Sequence, residues 1–246
     1  MGVVLEVEGR AFTSEELATL LAQYQMLPKL AQELIIDRTI QDIVYKEEEV
    51  TAARQQLYQQ YQIADEEQQK LWLEQHGMTA EQFEALAIRR LKLDKYKQEN
   101  YGNKVEAYFL KRKAQLDKVV YSLIRTDKAE IDQELYFRIQ EGENTFQELA
   151  MEYSEGAEAQ TGGLIGPVEV NAPHPRIAQV LSTCKPGQLV PPTRVGEWIV
   201  IIRMENFISA QLDDAMRQRM MDEMFRQWLN EQVNKQVSYF PSPVVS

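Results

Sequence analysis

The sequence predicts an α+β protein that is mostly helical: a helical front, a small strand-containing domain after it, and one long helix at the end. Three observations predict this. Residues 1–115 carry helical apolar periodicity almost throughout. The pattern changes after Leu116, where Val119-Val120-Tyr121-Ser122-Leu123-Ile124 opens a β-rich segment. From about Ala210 to Val237, Leu212, Met216, Met220, Met224 and Trp228 recur every four residues, beside Met221, Phe225, Leu229 and Val233. That stripe is expected to bury against the front helices.

In chain order, Val3 to Glu8 reads as a strand followed by a turn at Gly9-Arg10. A helix is expected from Thr13, because Thr13-Ser14-Glu15-Glu16 is a capping box and Leu17, Leu20 and Leu21 share a face. Pro28 interrupts, and a second helix runs through Leu30, Leu34, Ile35 and Ile40. Glu47 to Glu49 head a third, where their charge suits the positive helix end. His76-Gly77 ends a helix, Thr79-Ala80-Glu81-Gln82 opens another, and Gly102-Asn103 breaks the chain before a helix from Lys104. Further on, Asp127 is expected to cap a helix through Ile131 and Leu135 that stops at Gly142, and Thr145 to begin a short one through Leu149 and Tyr153. Ser154 to Thr161 reads as a polar loop before Gly162-Gly163 and a strand, Leu164-Ile165-Gly166. Pro175 suits the first turn of a helix holding Ile177 and Leu181. Leu189-Val190 and Trp198 to Ile202 are strands, the latter apolar on both faces and so central. Tyr239 to Ser246, with two prolines, reads as a disordered tail.

The 246 residues, 44% apolar and 26% charged, suffice for a real core. One cysteine and two histidines exclude an internal disulfide and an ordinary Cys/His zinc site, and no metal or cofactor is expected. His76 suits the negative end of a helix, and Cys184 reads as a small apolar filler. A net charge of −11 argues against a nucleic-acid partner. The stretch from Arg89 to Lys113 has nine basic residues against three acidic ones, and it reads as the solvated face of two helices. No apolar run is long enough to span a membrane, and the first twelve residues lack a basic start followed by an apolar stretch. A cytoplasmic location is the expectation that follows.

Five landmarks between residues 116 and 208 carry a resemblance: the strand at 119–124, Phe146-Gln147-Glu148-Leu149-Ala150-Met151-Glu152-Tyr153-Ser154, Gly162-Gly163-Leu164-Ile165-Gly166, Lys185-Pro186-Gly187-Gln188-Leu189, and Val200-Ile201-Ile202-Arg203. In order and spacing they resemble the parvulin family of peptidyl-prolyl isomerases. The helical front and final helix are similar to the SurA- and PrsA-type chaperones, in which a parvulin domain is inserted between helices that pack together. The resemblance implies a helical chaperone module at 1–115, a βαααβαββ parvulin-like domain at 116–208, and a C-terminal helix at 209–238 packing on the module, with 239–246 as tail.

The resemblance also implies a set of site residues. The family's first-strand histidine falls on Ser122, and its last-strand histidine on Val200, or on Trp198 when the count is anchored at Gly196. Its cysteine or aspartate before the double glycine falls near Glu155, with Gly156 as the alternative, and the aspartate after the pair is Leu164. Its apolar pocket falls on Ile165, Ile177 and Pro173, with His174 beside it. The catalytic polar residues are therefore substituted. Isomerisation needs neither nucleophile nor metal: a catalyst of this class must seat the proline ring and favour the twisted amide over the planar one, against a barrier of roughly 18–20 kcal/mol. The implied function is an isomerase and chaperone for unfolded or export-bound polypeptides, its isomerase activity weakened or lost. The alternative is a non-catalytic adaptor for one secretion or assembly partner.

Overall fold

The computed structural model describes residues 3–127 and 129–239. The predicted tail therefore lies outside the described residues, apart from Tyr239. The fold divides into two compact units: the chain up to Val105 with the chain from Arg217 on, and Glu106–Met216.

The first unit opens with β1 (Val3–Val7) and β2 (Arg10–Thr13), an antiparallel ribbon turning at Glu8-Gly9, both at positive φ. Thr13 caps α1 (Ser14–Gln23) through the predicted box: its N–H donates to the Glu16 carboxylate at 2.9 Å. Then come α2 (Leu27–Ile40), with Pro28 in its first turn, and α3 (Glu47–Gln60), headed by the glutamate cluster. Asp65 starts α4 (Glu66–His76) by accepting the Gln68 N–H at 2.8 Å, and Gly77 ends it in the left-handed conformation. Thr79 and Gln82 form the second predicted box, opening α5 (Ala80–Tyr101). Gly102-Asn103 lies in a 3₁₀ turn that leads straight into α6 (Val105–Leu116).

The second unit continues with β3 (Lys118–Thr126), α7 (Ala129–Gln140) and α8 (Phe146–Tyr153), the latter capped by Thr145 and Glu148. Residues 157–161, expected as loop, wind into a 3₁₀ helix. β4 (Leu164–Glu169), α9 (Pro175–Leu181), β5 (Leu189–Val195) and β6 (Trp198–Ile208) complete it. This is the βαααβαββ order, with the third helix short and 3₁₀. The sheet is antiparallel in the order β4-β3-β6-β5, so β6 is central, as its two apolar faces predicted. Gly163 is required by space: a Cβ there would fall 2.8 Å from the Leu123 carbonyl oxygen.

The last helix, α10, spans Asp214–Gln236. It starts four residues later than its periodicity suggested, because the Ala210 N–H is taken by the Asp117 carboxylate and Asp213 accepts the Met216 N–H. Its stripe buries Met220, Met221, Phe225 and Leu229, and so it completes the helical unit. Tyr96 on α5 meets Phe225 and Trp228 at 6.2 and 5.8 Å, and Lys97 pairs with Asp222 at 2.8 Å. Within the basic stretch, Arg89 pairs with Glu33 and Asp37, and Lys95 with Glu49. His76 stacks on Trp72, its Nδ1 2.7 Å from the Trp72 carbonyl oxygen. No helix among the described residues is long and apolar enough to cross a membrane.

Candidate functional site

Side chains alternate along a strand, so β3 serves two different cores. Tyr121 and Leu123 join Val200, Ile202 and Met204 of β6 under Ile177 and Leu181 of α9. Ile124 joins Ile201 on the opposite face, under Leu135, Phe146 and Leu149. Leu123 is paired with Ile202, and Arg125 stands opposite Val200.

A cleft of about 290 Å³ opens on the α9 face. Leu123, Ile177, Val195 and Val200 are its apolar lining, joined by the Gly196-Glu197 turn, His174, Trp198 and Arg125. Local chemistry places these parts. Gly196, at φ 64°, permits the two-residue turn that pairs Val195 with Trp198. His174 precedes Pro175 and caps α9, its Nδ1 accepting the Arg176 N–H at 3.2 Å. That bond fixes Nδ1 as an acceptor and leaves Nε2 to carry the proton of the neutral ring. Its role thus combines cap and cleft wall.

Arg125 is the strongest donor in the lining. Its Nε and Nη2 reach the two Glu158 carboxylate oxygens at 3.2 and 2.8 Å. The Glu158 side chain is only 5% exposed and also accepts the Ser154 hydroxyl at 2.8 Å. Ser154 in turn accepts the Arg125 N–H, and the Glu155 N–H donates to the Arg125 carbonyl. The guanidinium carbon lies 5.6 Å from the Trp198 ring centroid, within cation–π range. The pair fills the space over Gly156, where an added Cβ would collide with both its members. Burial pushes the Tyr121 hydroxyl pKa up, and the Glu158 charge adds to this. Burial likewise raises the Cys184 thiol, which packs as an apolar filler against the α9 core.

Of the residues singled out from sequence, His174, Ile177, Trp198 and Val200 come together in the cleft. Ile165 is half-buried against the same core, outside the lining, and Pro173 is half-buried one residue before His174, also outside it. Ser122 is not in the cleft. It falls on the other face of β3, between the inward Tyr121 and Leu123, and donates to Glu205. Glu155 is exposed beside Asp127, Glu152 and Ser154, in a separate depression. Leu123 and Arg125 of the lining, and Glu158 behind it, are not among the residues singled out from sequence. The alternation that puts Ser122 on one face already puts residues 123 and 125 on the other, so that much was available. The partner of Arg125, 33 residues away, was not. Among the described residues no group of three or more His, Cys, Asp or Glu side chains is placed to hold a metal.

Residues 125–206 match the family model of the PPIC-type peptidyl-prolyl isomerase, or rotamase, domain. Among solved structures, the chain is similar to the peptidylprolyl isomerase PrsA of Bacillus anthracis: 18% identity, 88% of this chain and 100% of that one covered, TM-score 0.50. It is similar to PrsA of Bacillus cereus at 16% identity over 99% and 95% of the two chains, again with a TM-score of 0.50. At these identities the likeness is one of fold. No curated protein matches the sequence. The region from 125 to 206 is thus similar to a parvulin-type domain, the fold of the chain is similar to that of PrsA, and all of the cleft's lining residues but Leu123 fall in that region.

Proposed function

We propose that this protein is a parvulin-type isomerase and chaperone that binds proline-containing segments of unfolded or export-bound polypeptides in the cleft beside α9. The observation that carries the reading is the cleft itself: an apolar floor of Leu123, Ile177 and Val200, walled by Trp198 and His174, all but Leu123 inside the region matched to the rotamase domain. A proline ring is apolar and rigid, and such a floor removes it from water at about 25 cal/mol per Å². Seating the ring while water is excluded favours the less polar, twisted amide over the planar one.

Leu123 and Val200 are apolar members of this floor, and that supports a reduced share of polar groups in catalysis. An oriented donor is commonly worth about 10²–10³ in rate. The proposed activity is therefore firm peptide binding with weak turnover. Of the sequence-derived candidates, Val200, Ile177, His174 and Trp198 are assigned to substrate contact, while Ser122 and Glu155 are given structural roles. The two compact units, which divide at residues 105/106 and 216/217, support a division of labour between a helical chaperone module, expected from sequence at 1–115 with 209–238, and a peptide-binding domain, expected at 116–208.

The test is a proline-peptide isomerisation assay run with a binding titration on the same peptide. Saturable binding with a small rate acceleration is expected. Absence of both would refute the reading.

A further inference from the structure

We propose that Arg125, locked in place by Glu158, is the group that anchors the bound peptide, donating from its guanidinium to a backbone carbonyl outside the rotating X-Pro amide. The assignment rests on the reading of the cleft as a proline-peptide site.

A guanidinium carries five N–H donors in a rigid fork. The bond to Glu158 uses Nε and one hydrogen of Nη2. Among the described residues Nη1 takes part in no hydrogen bond, so donors are left over on a side chain that lines the cleft. The fork is held by the nearly buried Glu158 carboxylate, itself fixed by the Ser154 hydroxyl, and faces the Trp198 ring 5.6 Å away. A donor held this way loses little freedom on binding a ligand. Of the other polar side chains of the lining, Glu197 offers a carboxylate, which only accepts, while His174 and Trp198 each offer a single ring N–H rather than a charged fork.

Amide chemistry decides which carbonyl is served. Planar resonance puts negative charge on the amide oxygen, and twisting removes it. A donor fixed on the rotating X-Pro oxygen would therefore hold the planar form and slow turnover. The same donor on a neighbouring carbonyl grips the peptide equally in the planar and twisted states. Arg125 thus supplies affinity, and Glu158 is a positioning residue acting through it.

The test uses the full chain and the tetrapeptide Ala-Ala-Pro-Phe, with Trp198 fluorescence reporting Kd and an isomerisation assay reporting kcat and KM. In the Arg125→Gln/Glu158→Gln double variant no buried charge is left unpaired. Kd and KM should rise about tenfold or more, the loss expected for a hydrogen bond from a charged group, with kcat within about twofold. Arg125→Lys keeps the ion pair and loses the fork, and it should also bind several-fold more weakly. Wild-type protein that fails to bind the peptide would overturn the cleft reading and this assignment together. Wild-type binding matched by both variants would overturn this assignment alone. A rise in kcat in the double variant would also overturn it, by placing Arg125 on the rotating amide oxygen, and so would a drop in kcat at unchanged KM, by giving Arg125 a contact made only in the twisted state.

Discussion

Ile177 shows how one side chain serves both core and cleft. It is 7% exposed, packs on the Leu123–Val200 core and lines the cleft. Ile177→Ala should cost about 2–5 kcal/mol of stability through the lost methylenes and the cavity left behind, and should weaken proline-peptide binding. Urea unfolding with a peptide titration checks both; unchanged affinity in a folded variant would remove Ile177 from the site. Asp132 is a second telling residue. It is buried, accepts the Thr126 hydroxyl at 2.6 Å, and among the described residues its Oδ2 has no partner. Burial raises its pKa above the ordinary value of 3.8, opposed by the Thr126 bond. The folded chain therefore holds this proton more tightly than the unfolded chain. Ionised Asp132 costs stability at neutral pH, and the cost fades as pH falls through its folded pKa toward the ordinary value. Asp132→Asn should raise the urea midpoint at pH 7, with the gain shrinking toward about pH 4. A gain independent of pH would contradict the assignment.

Among the elements, those that follow from neighbours three or four residues apart were legible in the sequence. The boxes at Thr13 and Thr79 close as read, and Thr145, expected to begin α8, closes a third, since each is a bond between residues three apart. Thr145→Ala removes the cap of α8, whose Phe146, Leu149 and Ala150 are buried under the sheet, and should cost about 1 kcal/mol in thermal or urea unfolding. A loss below a few tenths would show that packing alone sets the start of α8. Legibility ended where partners are far apart. The resemblance implies Ser122 for the site by its position along the strand, but position does not fix the face, and one residue of offset moves a side chain to the opposite core. The pairing of Arg125 with Val200 and the clamp by Glu158 depend on strand register and on the path of a 3₁₀ turn that local composition presents as loop.

On the scale of the whole molecule, two features tie the plan together. At the root of the second unit, Lys113 reaches both Asp117 and Ser209, while the Asp117 carboxylate accepts the Ala210 N–H. The strand entering the sheet and the segment leaving it are thus fastened side by side. The helical unit, for its part, is built from both ends of the chain. A chain ending at residue 213 lacks Met220, Phe225 and Leu229, and leaves Tyr96 and Tyr101 without their aromatic partner Phe225. It should lose helical content and cooperativity in the helical unit while the sheet domain keeps its own unfolding transition; unaltered helicity beyond the loss of α10 itself would contradict this.

The central claim is that the face of the sheet under α9 receives a proline segment. Backbone amide and tryptophan indole NMR shifts, followed while a proline tetrapeptide is titrated into the full chain, test it most directly. Saturable shifts are expected at Leu123, Arg125, Ile177, Trp198 and Val200, including the Trp198 indole, with Ser122 and Glu155 little moved. Saturable shifts that avoid these residues, or the same shifts from a peptide with alanine in place of proline, would contradict it.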